Sequence, residues 1–190
     1  VAHVAFTGGL DTALYIVRNS AEHLASTSLE LGGKSPNIVF DDADLDSAVN
    51  AQVSGSFAAT VQSCVAGSRL VVQAGIKDAF LTMLKAKAEA VVIGAPDQMD
   101  TEMGPLCTEA QRQRAVDLVD RSVVKGARLV TGGAAITGDG YYFPPTILDC
   151  SDAPDAPCLT NEFFGPVLSV VSFETEGEAA RPFPGRRLQS

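Results

Sequence analysis

Short β-branched runs alternate with stretches of helical spacing along most of this chain, and that alternation restricts the fold more than any other feature. Val4 to Thr7 reads as a strand, followed by a helix from about Asp11 to Leu24. Thr27 to Leu31 and Asn37 to Phe40 are further strands. Asp44 opens a long helix that runs to about Thr60, with Asp41, Asp42 and Asp44 supplying cap and first-turn carboxylates. Leu70 to Gln73 is an apolar strand, and Ile76 to Val91 shows helical spacing. Thr108 to Gly126 is another long helix with Gly126 as its stop, and Arg128 to Thr131 follows as a strand. Gly132-Gly133 and Gly138-Asp139-Gly140 mark a turn-rich loop before two closing strands, Tyr142 to Leu148 and Val167 to Phe173. Helices between strands predict an α/β chain with an open, largely parallel sheet and helices on both faces.

Composition fits such a chain. Of its 190 residues, 46% are hydrophobic and 19% charged, enough for a proper core in one domain. At this length folding buries ~70% of the unfolded surface. The net charge of −9 argues against nucleic acid and anionic membrane surfaces as partners. No run of ~18 apolar residues indicates a membrane span, and the N-terminus lacks signal-peptide character. Cys64, Cys107, Cys150 and Cys158 form no C-x-x-C, so no zinc is expected and no metal site is assigned. A reducing, cytoplasmic setting fits them, while the short separation of Cys150 and Cys158 leaves a bridge open. The aspartates at 41, 42 and 44 lack the Gly and distal Glu of a calcium loop.

Two places carry chemistry. FAATVQSCVAGSR, residues 57–69, sets Cys64 among small residues directly after an apolar helical run. Val65, Ala66, Gly67 and Ser68 leave room for a substrate carbonyl, and backbone N–H groups near the sulfur could stabilise an oxyanion. A thiol so placed is either a nucleophile or a structural cysteine. In LELGGK, residues 29–34, Glu30 ends a strand-like run beside two glycines. It is either a base that activates water or a solvated carboxylate at a strand end. His3 and His23 are the two histidines, so a Cys–His dyad has no local motif behind it, and Glu30 is the better base.

Taken together, LELGGK, then CVAGSR, then NEFFGP at 161–166 resemble the aldehyde dehydrogenase superfamily. FTGG at 6–9 and SPNIVFDDADLDSAV at 35–49 match the same family in the same order. The resemblance implies that Cys64 is the thiol that attacks the carbonyl and Glu30 the base that activates water. It implies that Glu162 holds the ribose hydroxyls of NAD or NADP and that Phe164 packs there. Gly8 and Gly9 fall where the family's FTGS segment approaches the cofactor phosphates, and a glycine turn opening a helix does offer N–H groups to an anion.

The departures from the family pattern matter too. Val61 stands where the family has Gly, and a β-branched residue would displace the Cys64 loop if that position needs a positive φ. FTGG replaces FTGS and loses a hydroxyl. The length is well under half of a typical member. Residues 1–31 are expected to be a remnant of the nucleotide-binding domain, 32–178 the catalytic domain, and 179–190 an off-pattern tail. The family's oxyanion Asn falls outside the chain. These expectations favour, for the isolated chain, hydrolysis of small carboxylic esters through a Cys64 acyl-enzyme with Glu30 activating water, which requires no cofactor. The family's NAD(P)-dependent oxidation of an aldehyde is the alternative, with cofactor binding in doubt. A further alternative is an inactive folded fragment that self-associates, as a homo-oligomer, through exposed apolar surface.

Overall fold

Parallel strand pairing organises the chain in this computed structural model, which describes residues 1–181. The expected tail beyond residue 181 lies outside the described residues. Two compact units form, Val1–Gly33 and the residues from Lys34 onward.

The first unit is a strand–helix–strand crossover. Strand β1 (His3–Gly8) leads through Gly9 into helix α1 (Leu10–Ser20), a 3-10 turn (Ala21–His23) and strand β2 (Ser26–Leu31). Leu24, at φ 53, reverses the chain between the turn and β2. β1 and β2 pair in parallel, with His3 opposite Ser26 and Gly8 opposite Leu31. Exposed and half-buried residues alternate in phase on both strands, as a sheet with one covered face requires.

The second unit holds a five-stranded sheet. Its strands are β3 (Pro36–Val39), β4 (Arg69–Gln73), β5 (Arg128–Thr131), β6 (Thr146–Asp149) and β7 (Val167–Phe173), in the order β3-β4-β7-β6-β5. The first four neighbours are parallel, and β5 runs antiparallel to β6 at the edge. Helices α2 (Leu45–Phe57) and α3 (Lys77–Glu89) and helices α4 (Glu109–Val124) and α5 (Glu176–Ala179) supply the covering layers.

Alternation along the central strands explains both layers. Leu70 and Val72 of β4, Ile147 of β6 and Leu168 and Val170 of β7 pack with Val49 of α2 and Phe80 and Leu84 of α3. Val71, Leu148, Val167, Val171 and Phe173 point the other way, into a cluster with Ala115, Leu118 and Val119 of α4. Every residue of β6 is buried, and so is all of β7 except Ser172. Strands covered on both faces are apolar throughout, the mark of a parallel sheet.

Local chemistry sets the boundaries. Asp44 caps α2, its carboxylate accepting the Ser47 N–H at 2.8 Å, and the Ser47 hydroxyl first and this N–H second hold the Asp44 carboxyl below its ordinary range. Thr108 caps α4 by accepting the Gln111 N–H. Gly126, at φ 96, ends α4: its N–H reaches Val123 O and the Ala127 N–H reaches Ser122 O, the paired bonds of a Schellman motif. Asp149 closes β6, bound to Arg128 at 2.8 Å and Lys77 at 3.3 Å. Burial pushes its carboxyl up, but Ser151, Arg128 and Lys77 outweigh burial and hold it near 2.

The expected α/β fold with an open, largely parallel sheet is present as β3-β4-β7-β6-β5, while β1 and β2 pair only with each other among the described strands. One expectation needs correction. The strand expected over Tyr142–Leu148 begins only at Thr146, because Pro144 and Pro145 have no N–H to give to a ladder.

Candidate functional site

Cys64 sits on a loop that the rest of its unit holds at three points. After α2, a 3-10 turn (Ala58–Val61) carries the chain round, with Thr60 at φ 55 and Val61 at φ 56. Val61 is thus a β-branched residue in the left-handed region, where such residues are strained, and its side chain is buried in the core. Thr60 Oγ1 donates to Gly104 O at 3.3 Å, and Gln62 Oε1 accepts the Cys107 N–H at 2.9 Å. The third hold lies beyond the cysteine. The Gly67 N–H reaches Gly55 O at 3.1 Å, while Gly67 O accepts from Gln52 at 3.1 Å and Ser56 at 2.7 Å. Between these anchors Cys64 is exposed and Val65 is 78% exposed.

Among the small residues after Cys64, Gly67 has a packing role that the sequence does not show. A Cβ on Gly67 would stand 2.3 Å from Asn37 Nδ2 and 2.8 Å from its Cγ. Asn37 in turn donates to Gln52 Oε1 at 2.9 Å, and Gln52 donates to Ser56. Gly67 therefore makes room for this amide network. A cleft of about 430 Å³ opens between β3, α2 and the loop, lined by Asn37, Gln52, Gly55, Val65 and Gly67.

The segment Glu162–Phe164 lies in the same unit and is held by α4. Gln111 Nε2 donates to both Phe163 O and Phe164 O, and Arg114 donates to Glu162 O at 3.2 Å. Phe163 is buried, whereas Phe164 takes φ 52 and is 40% exposed. Glu162 is half-buried. Gln111 and Arg114 were invisible to sequence reasoning, because helical spacing shows a face and not what the face meets.

Lys34, the last residue of LELGGK, lies behind this segment. Its Nζ is out of contact with solvent, has no hydrogen-bond partner and stands 5.2 Å from the centre of the Phe163 ring. Burial first, and then the charge of Arg69, lower it from 10.5 to about 8. Cys150 and Cys158 are buried free thiols with their sulfurs 3.1 Å apart.

The remaining expected residues belong to the first unit. Glu30 is exposed on β2 opposite Thr7, and Gly8 stands opposite Leu31. Glu30, Gly8 and Gly9 thus gather at the carboxyl end of a parallel pair, where α/β folds bind ligands. Gly9 precedes α1, whose first turn has no side-chain cap, and nothing lies within 4 Å of where a Gly9 Cβ would stand. That open, N–H-rich turn fits the phosphates of a dinucleotide, although Asp11 in the first turn opposes negative charge. His3 Nδ1 is 2.7 Å from Ser26 Oγ. Among the described residues no group of three or more His, Cys, Asp or Glu could hold a metal ion, and no helix is long and apolar enough to cross a membrane.

Comparison with known proteins supplies a family. The model of the aldehyde dehydrogenase family matches residues 1–182. A (Z)-2-((N-methylformamido)methylene)-5-hydroxybutyrolactone dehydrogenase of Acinetobacter baylyi is 60% identical over 179 residues, covering 94% of this chain and 37% of that protein. A betaine aldehyde dehydrogenase of Rhizobium leguminosarum is 44% identical over 182 residues, with the same coverage of 94% and 37%. Among solved structures, lactaldehyde dehydrogenase from Escherichia coli superposes with a TM-score of 0.90 at 42% identity, over 94% of this chain and 38% of that one. Betaine aldehyde dehydrogenase from Staphylococcus aureus in complex with NAD+ gives a TM-score of 0.90 at 39% identity, over 94% and 36%. The chain spans little more than a third of the length of these relatives.

Proposed function

Since the chain belongs to the aldehyde dehydrogenase family, we propose that it carries the thiol and the water-activating base of an NAD(P)-dependent oxidation of an aldehyde to a carboxylic acid. The observation that carries this reading is the exposed Cys64 on a loop held at both ends, in a chain whose relatives are named as dehydrogenases. Those relatives favour oxidation over the ester hydrolysis expected from the isolated sequence.

In this reading the Cys64 sulfur, as thiolate, adds to the aldehyde carbon. The oxygen that becomes negative is met by backbone N–H groups at the loop. Ala66, Gly67 and Ser68 already donate to Ser63, Gly55 and Ala66, so the role falls to the N–H groups of Cys64 and Val65. The nicotinamide cofactor, when bound, supplies the two-electron acceptor. Glu162 would accept from its ribose hydroxyls, Phe164 would pack its exposed ring beside them, and Gly8 and Gly9 would give N–H groups to its phosphates. Glu30 takes a proton from water, whose oxygen adds to the acyl carbon on Cys64 and frees the acid. Residues 1–31 act here as part of the cofactor-binding domain and residues 32–178 as the catalytic domain.

The test is NADH or NADPH formation at 340 nm with betaine aldehyde or lactaldehyde, for the wild type beside Cys64→Ala and Glu30→Gln. Cofactor reduction that depends on Cys64 supports the proposal. Cys64-dependent turnover of p-nitrophenyl acetate, with no cofactor reduction for any aldehyde, favours ester hydrolysis by this chain. Neither activity in any protein overturns both.

A further inference from the structure

Cys150 and Cys158 lie outside the machinery assigned above, yet they are built as a pair. Cys150 follows β6, and Cys158 sits in the 3-10 turn (Pro157–Leu159) that leads into Glu162. Both side chains are buried, and their sulfurs are 3.1 Å apart. Two successive turns fold the intervening chain, with the Ala153 N–H on Cys150 O and the Ala156 N–H on Ala153 O, both at 3.0 Å. The Cys158 backbone is fixed from α4 by the Ser122 hydroxyl, which accepts its N–H at 3.1 Å. Closing this gap to an S–S bond of ~2.05 Å takes about 1 Å of travel, within reach of small side-chain rotations.

We propose that Cys150 and Cys158 are an oxidisable dithiol pair, closing to an intrachain disulfide when a small peroxide is the oxidant, with Cys158 as the attacking sulfur. Either sulfur can donate to the other, and the Cys150 S–H also has Leu148 O at 3.7 Å as an acceptor. The contact with Cys150 first, and then the Lys34 charge, outweigh burial and hold Cys158 down at about 7, while Cys150 is pushed up. The Lys34 ammonium, buried without a hydrogen-bond partner, is a cation placed to benefit from the Cys158 thiolate. In the first step the Cys158 thiolate attacks one oxygen of hydrogen peroxide. The O–O bond breaks, and the other oxygen leaves as hydroxide, protonated to water, with a sulfenic acid on Cys158. In the second, the Cys150 sulfur attacks that sulfenyl sulfur, the S–S bond forms, and the hydroxyl leaves as water with the Cys150 proton. Two thiols lose two electrons and one peroxide becomes two waters. The product pins the turn before Glu162 to the end of β6.

The experiment exposes the wild type and a Cys64→Ser/Cys107→Ser variant to hydrogen peroxide. Each is then unfolded in acid, labelled with N-ethylmaleimide and mapped by peptide mass. The expected result in both is a Cys150–Cys158 cross-linked peptide, lighter by two hydrogens and unlabelled, that dithiothreitol returns to two labelled cysteines. Full labelling of Cys150 and Cys158 at a peroxide dose that oxidises Cys64 and Cys107 overturns the proposal. A cross-link confined to the wild type also overturns it, because oxidation would then arrive by exchange from an exposed thiol. Neither result bears on the dehydrogenase reading, which is measured by cofactor reduction.

Discussion

Gln62 accepts the backbone N–H of Cys107 at 2.9 Å across 45 positions of sequence, which fixes the loop bearing Cys64 to the stretch that enters α4. The bond joins a side chain two residues before the thiol to a backbone that the Thr108 cap has already immobilised. Gln62→Ala is expected to cost about 1 kcal/mol or less in stability, because the exposed Cys107 amide can turn to water. Its effect on any Cys64-dependent turnover is expected to be larger, at least about tenfold, since small misplacement of a reacting group is expensive. Urea denaturation beside a turnover assay separates the two. Equal losses in both would mean that the bond serves folding alone.

Val61 is held at φ 56 with its side chain in the core. An L-residue there carries a backbone cost of about 1–2 kcal/mol, which glycine escapes. Glycine loses only about 0.5–1 kcal/mol relative to alanine through chain entropy. Both lose the two γ-methyls, but alanine keeps a buried methyl that glycine lacks, worth about 0.8 kcal/mol. The left-handed backbone cost therefore offsets glycine's two losses, and Val61→Gly is expected to match Val61→Ala to within about 1 kcal/mol. Thermal melts of the two variants decide it, and a clearly more stable alanine variant would show that this loop relaxes out of the left-handed region.

Gly67→Ala is expected to break the network below the loop. The added methyl would stand 2.3 Å from Asn37 Nδ2, so Asn37 must move, and its bond to Gln52 goes with it. The cost expected is about 1–3 kcal/mol for the buried amides left unpaired. Asn37→Ala/Gly67→Ala should recover part of that loss. Independent, additive losses in this double-mutant cycle would contradict the assigned clash.

Lys34 predicts a pH dependence with a definite sign. Its folded value, about 8, is below its ordinary 10.5, so the folded state resists the charged form. Below pH 8 both states hold the proton and the penalty is full. Between about 8 and 10.5 only the unfolded state holds it, so stability rises with pH across this window. The total is about 3 kcal/mol, from 1.36 kcal/mol per pH unit. Lys34→Met is expected to be more stable than the wild type at pH 7, with the difference closing as pH approaches 10.5. A difference that stays constant with pH would rule out a titrating Lys34 as its cause.

Much of this arrangement was legible beforehand, and the exceptions share a cause. β5 and β7 match their expected ranges, because short apolar strands between turn residues leave little freedom. A positive φ strains a β-branched residue such as Val61, and Val61 does take one. The misses are long-range. The grip of Gln111 on Phe163 spans 52 positions and that of Arg114 on Glu162 spans 48, and neither has a local signature. Nothing in the sequence around Lys34 marks its Nζ as enclosed behind Phe163. Pro144-Pro145 is a local signal, and it sets the start of β6 at Thr146.

The assignment of Cys64 and Glu30 to one acyl transfer is tested most directly by the mass of the protein caught during reaction. Wild type and Glu30→Gln are incubated with betaine aldehyde or lactaldehyde and NAD+, quenched in acid, digested and mapped. The account predicts an acyl group on the Cys64 peptide that accumulates in Glu30→Gln and clears in the wild type. No acyl group on Cys64 in either protein, or an adduct on Cys107 instead, would contradict it.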